Sequence, residues 1–169
     1  AAMHDELTEV DIRKMQEELT HRRTVLRPQL IEDVQTARAF GDLSENFEYK
    51  CAKRDKNRND SRIRYLENMI RTAKVISADS QEGLVGLFDR VELYNEKLDK
   101  TQTIRLVTTL RQDALKGLIS KESPVGGAIL GHRVGDRVLV EVSPELKFYM
   151  VIRSIEKGTD DESLEISAY

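Results

Sequence analysis

Tyr49, Ala52, Lys56, Asn59, Ile63, Leu66, Ile70 and Ala73 step alternately by three and four residues, a heptad seam with two polar positions, Lys56 and Asn59, at its middle. That period demands a helix with one narrow buried edge. Upstream, Ile12, Met15, Leu19, Arg22, Leu26, Leu30, Val34 and Ala37 give a looser version of the spacing. Pro28 interrupts it, removing a helical hydrogen bond and predicting a kink. Only Gly41 and its neighbours separate the two segments. Helices joined so closely run antiparallel and pack seam to seam. Residues 1–79 therefore read as a helical hairpin, a coiled-coil arm with its tip at 41–49. Thr8 to Phe40 covers 33 residues, roughly 50 Å of helix at 1.5 Å per residue.

So narrow a seam offers little core, and the composition agrees: 34% of residues are charged and 5% aromatic, with no Trp. The chain is too polar for one large core and too well patterned for disorder. After Val75-Ile76 the pattern changes. SADSQEGLVG (77–86) reads as a linker, followed by β-branched runs at Arg90–Asn95, Thr103–Leu110, Asp136–Val142 and Phe148–Ile155. Turns fall at Glu96–Asp99, Gly135-Asp136 and Ser143-Pro144, and VGGAILG after Ser123-Pro124 reads as one short helix. The expectation is an α+β chain: the arm, then a small, mostly antiparallel sheet domain over 80–157, then a loose acidic tail over 158–169.

Several classes are set aside. No apolar run approaches ~20 residues, so no membrane partner is expected, and no leader for secretion is evident. A lone Cys51 excludes an internal disulfide and fits a reducing cytoplasm; three dispersed histidines give no zinc spacing.

Charge is distributed with more information than its sum of −3. Lys50 to Arg64 holds seven basic residues against Asp55 and Asp60. Lys50, Arg54, Arg58 and Arg62 are spaced by four, with Lys53 flanking, which reads either as a solvated helix face or as a stripe tracking nucleic-acid phosphates. Tyr49 beside it could stack on a base or pack in the seam. At the bend, Asp42-Leu43-Ser44-Glu45 has capping-box spacing. The same pair could instead complete a metal site: Mg²⁺ takes one or two protein carboxylates and fills its octahedron with water and phosphate. An apolar Leu43 at the exposed bend favours the second reading.

GDLSENFEY (41–49), RIRYLENMIRTAKVI (62–76) and SKESPVGGAILGHRVGDRV (120–138) together resemble the bacterial Gre transcript-cleavage factors, in order and over about residues 8–156. The resemblance implies an antiparallel coiled coil and an FKBP-like docking domain. It implies a cytoplasmic monomer that binds RNA polymerase at its secondary channel and stimulates the polymerase's own cleavage of a backtracked RNA 3′ end. Asp42 and Glu45 would then share Mg²⁺ with polymerase, with none held by the free protein. Tyr49, Lys50, Lys53, Arg54 and Arg58 would meet RNA, and Ser120, Glu122, Ser123 and Pro124 would contact polymerase. The SEN triplet, RIRYL and the long stripe look closer to GreB than to GreA. Val107–Ala114 departs from the family pattern. Three alternatives stay open: a channel-binding regulator that does not stimulate cleavage, a prolyl isomerase, and a coiled-coil module without RNA contact.

Overall fold

The computed structural model describes residues 5–41 and 45–167. The described residues divide into two compact units, one within 12–73 and the other formed by 5–11 with 74–167.

The first unit is the hairpin. Helix α1 (Glu9–His21) passes through a π turn at Arg22–Leu26 into α2 (Arg27–Arg38), and α3 (Phe47–Thr72) returns along it. Pro28 stands in the first turn of α2, where its missing N–H is least costly. The expected kink is instead a widened turn, closed by the Arg27 N–H to the Arg22 carbonyl, five residues back. Met15, Leu19, Ile63 and Leu66 are buried, as the seam requires.

A polar layer adjoins these apolar positions. Arg62 is only 3% exposed and donates to Glu18 through Nε at 2.7 Å and through a terminal nitrogen at 3.1 Å. Arg22 donates to the same carboxylate at 2.7 Å and to Asn59 Oδ1 at 2.8 Å, and Asn59 returns a bond to the Arg22 carbonyl. Arg62 is therefore a seam residue, a correction to its place at the end of the exposed stripe. Each step of four residues turns about 40° beyond a full circle, so three steps carry a side chain roughly 120° away from Lys50.

In the second unit, β1 (Glu6–Leu7) pairs in parallel with β2 (Lys74–Val75). A five-stranded sheet follows in the order β5-β4-β3-β7-β6: β3 (Arg90–Asn95), β4 (Lys100–Leu106), β5 (Leu118–Ile119), β6 (Arg137–Ser143) and β7 (Leu146–Glu156). All pairs are antiparallel except β4–β5. The strand expected over Thr103–Leu110 ends at Leu106, because the next residues leave the sheet for a 3₁₀ turn at Thr109–Arg111. Helix α4 (Pro124–Ile129) covers the inner face, where Val91, Leu93, Leu106, Val138, Val140, Met150 and Ile152 form the core with Ile129.

Residues after Lys157 are not a loose tail. Arg111, fully buried, pairs with Asp11 at 2.7 Å and with Asp160 at 2.5 Å, while Thr8 Oγ1 donates to Asp160 at 2.5 Å. Arg105 reaches Asp161 at 3.4 Å, and the Ser167 amide closes onto the Leu110 carbonyl at 2.6 Å. A sequence pass sees only an acidic end, because its cationic partners lie about fifty residues upstream.

Burial alone would push the Glu18 carboxyl up, but the guanidinium groups of Arg62 and Arg22 outweigh it and hold Glu18 below the usual carboxylate range. A depressed carboxylate stabilises the fold above its unfolded pKa and loses that contribution as pH falls through the folded value. Glu18→Gln should therefore cost about 3 kcal/mol near neutrality by stranding buried Arg62. In urea unfolding followed against pH, the gap between wild type and variant should close as the solution is made acidic.

Candidate functional site

The bend between α2 and α3 is held by one side chain. Asn46 is the N-cap of α3: its Oδ1 accepts from the Tyr49 amide at 3.0 Å and its Nδ2 donates to the Ala37 carbonyl at 2.6 Å. It satisfies an orphan donor of the new helix and ties it to the end of the old one. The capping box expected of Asp42 and Glu45 is thereby displaced, since α3 begins two residues after Glu45. Glu45 is exposed and has no hydrogen bond or ion pair with the described residues. Asp42 lies outside the described residues. Gly41 has φ of 129°, a conformation only glycine adopts readily, and nothing stands within 4 Å of where a Cβ would be.

Arg38 donates to the Tyr49 hydroxyl at 3.1 Å and stands 5.4 Å from its ring centre. That contact lowers the phenol's pKa against a smaller opposing effect of burial. Beyond it, Tyr49, Lys50, Lys53, Arg54, Asn57, Arg58 and Ser61 line a groove of about 550 Å³ along α3. Lys50, Lys53, Arg54 and Arg58 are exposed and have no ion-pair partner among the described residues. Neighbouring cations differ: Lys56 and Arg27 share Asp60, at 2.9 and 3.1 Å, and Arg23 meets Glu67 at 2.7 Å. The groove is thus a positive surface without ion-pair partners among the described residues, and it ends at the tip.

In the sheet unit, two of the residues expected to contact a partner, Ser120 and Ser123, build a turn. Ser120 is buried; its hydroxyl donates to Gln112 Oε1 at 3.0 Å and its carbonyl accepts from the Ser123 hydroxyl at 2.6 Å. Ser123 caps α4, accepting from the Gly126 amide at 3.1 Å. A Cβ on Gly126 would lie 1.9 Å from the Ser120 carbonyl oxygen, so glycine is required for this close approach. Ser120 therefore shapes the turn and does not present its side chain for contact, whereas Glu122 and Pro124 are exposed. Between β4, the 114–119 turn, α4 and β6 runs a groove of about 700 Å³, beside which Leu115 is fully exposed. Sequence reasoning missed Asn46, Leu115, Phe40 and Phe47. Asn46 had a readable signal, a cap-forming residue just before the first turn of a periodic segment.

Residues 6–75 match the family described as "Transcription elongation factor, N-terminal", and residues 80–157 match "Transcription elongation factor, GreA/GreB, C-term". The chain belongs to the GreA/GreB transcription elongation factor family. It is 41% identical over 137 residues to transcription elongation factor GreA of Thermoanaerobacter pseudethanolicus, covering 80% of this chain and 87% of that protein. It is 39% identical over 136 residues to GreA of Mesoplasma florum, with the same coverage. Both relatives are named GreA, and the leaning toward GreB finds no support in them. Among solved structures it is similar to the Gfh1 protein of Thermus thermophilus, at 25% identity, covering 92% of this chain and all of that one, with a TM-score of 0.43. No described helix is long and apolar enough to cross a membrane.

Asn46→Ala should remove the tie between the α3 start and Ala37, at a cost of about 1 kcal/mol. Amide hydrogen exchange at Tyr49 should accelerate several-fold, while amides near Ile63 stay protected.

Proposed function

We propose that this Gre-family chain is a transcript-cleavage factor, which inserts its arm into the RNA polymerase secondary channel and brings its tip carboxylates to the site where polymerase cleaves backtracked RNA. The observation that carries the reading is Glu45, exposed and without a partner among the described residues, with the capping taken over by Asn46. Carboxylate oxygens suit Mg²⁺, and no group of three or more metal-ligating side chains occurs among the described residues. Asp42 and Glu45 would hold a shared ion, with polymerase, water and RNA supplying its other ligands. Such an ion would supply charge stabilisation at the transferring phosphoryl group and a polarised water.

The chain's own residues bind and orient. Lys50, Lys53, Arg54 and Arg58 draw the extruded RNA along α3 by neutralising phosphates, a contact independent of sequence and weakened by salt. Glu122 and Pro124, exposed at the α4 turn, meet polymerase. The bond is broken by polymerase, so the chain acts without being an enzyme itself.

Glu45→Gln and Asp42→Asn, each in a defined backtracked complex with Mg²⁺ and the cognate polymerase, should lower stimulated cleavage by on the order of 100-fold while competition binding to polymerase is unchanged. Wild-type binding without stimulation would make the chain a channel-occupying regulator. Arg54→Ala with Arg58→Ala should reduce the slope of log affinity against log salt by about 1.4, at 0.7 per phosphate contact on a single strand. An unchanged slope would return these residues to a solvated face.

A further inference from the structure

Phe40 and Phe47 bracket the tip and are 71% and 75% exposed, while Phe88 is buried in the sheet unit and Phe148 packs against its core. Folding does not account for the two open rings. Phe47 is the first residue of α3, and the positions that would staple across that start, Glu45 and Lys50, are both charged. Phe40 follows the end of α2, its amide closing onto the Ala37 carbonyl at 3.2 Å. Together with Glu45, Asn46 and Glu48 the rings line a groove of about 490 Å³.

What adjoins this groove identifies its occupant. Phe47, Lys50, Arg54 and Arg58 stand at i, i+3, i+7 and i+11, within one face of α3. The face therefore begins with an aromatic ring and continues as cations with no ion-pair partner among the described residues, about 6 Å apart along the axis. A single-stranded nucleic acid offers the matching order, with phosphates for the cations and a flat, unpaired base at its end for the ring. Glu45 and Glu48 repel a phosphate from the aromatic groove, so the neutral base is the part that enters. An apolar protein segment would satisfy the rings but not the cationic face that continues from them.

We propose that Phe40 and Phe47 form a stacking platform that holds an unpaired base of the extruded RNA beside Glu45. The inference rests on the reading that the arm engages backtracked RNA. The phenylalanines act as positioning residues: a stacked base sets where the adjacent phosphodiester lies relative to the tip carboxylates.

The test compares wild type, Phe40→Ala, Phe47→Ala and Phe47→Tyr on backtracked complexes whose extruded RNA carries an abasic sugar at each position in turn. Factor occupancy, by competition with labelled wild type, and cleavage rate are read separately. On fully base-bearing RNA each alanine variant should lose about 10-fold in occupancy, about 1.4 kcal/mol, with Phe47→Tyr near wild type. At one abasic position wild type should fall to the same level and the alanine variants should lose nothing more. Equal loss by the variants on base-bearing and abasic RNA would place the rings against polymerase protein and overturn the proposal, as would no loss at all. Self-association in sedimentation that vanishes when both rings are replaced would make them a contact between copies, and also overturn it. Wild-type occupancy without cleavage would defeat the cleavage reading alone, since the base-dependent occupancy still decides for or against stacking.

Discussion

A single carboxylate shared between two arginines sets the register of the hairpin. Glu18 accepts from Arg22 and from buried Arg62, and Asn59 closes the layer against the Arg22 backbone. Sliding α3 by one turn would move a guanidinium with 3% exposure away from its acid and into an apolar layer. A stranded buried charge costs several kcal/mol, more than the apolar contacts of so slim a seam can return. Everything toward the tip inherits this register. Asn46 reaches the Ala37 carbonyl, and Arg38 reaches the Tyr49 ring, only when the two helices end level with each other.

At the tip, one residue takes the capping and leaves its acidic neighbour out of it. With Asn46 satisfying the helix start, Glu45 carries no structural duty among the described residues, and its charge is free for chemistry elsewhere. A similar division holds along α3, where Lys56 is paired with Asp60 while Lys50, Lys53, Arg54 and Arg58 on the groove have no ion-pair partner among the described residues. In the sheet unit Ser120, Ser123 and Gly126 build a tight turn whose outward residues are Glu122 and Pro124.

Much of this was legible in the residues. The seam positions, strand β3 with its four-residue turn and the helix after Ser123-Pro124 follow from period, turn chemistry and proline placement. The change from heptad spacing to β-branched runs after Ile76 gave the α+β organisation, and the spacing of Asp42 and Glu45, with the family motifs, gave the candidate tip. The failures share a cause: they concern choices between equivalent local patterns. Asp42, Ser44 and Asn46 are all cap-forming residues, and spacing alone does not select one. Arg62 continues a four-residue repeat, yet rotation carries it into the seam. The ends of β4 and of the chain depend on partners remote in sequence, Ile119 for Val107 and Arg111 for Asp160.

Arg111 has a consequence for the order in which the chain assembles. Its guanidinium is buried between Asp11, near the beginning, and Asp160, near the end, so the contacts that neutralise it span almost the whole length. As the polypeptide leaves the ribosome the arm can close on itself early, from contacts within residues 12–73. The sheet unit cannot. Its central arginine stays in water until Asp160 has emerged, so the sheet unit is completed later than the arm.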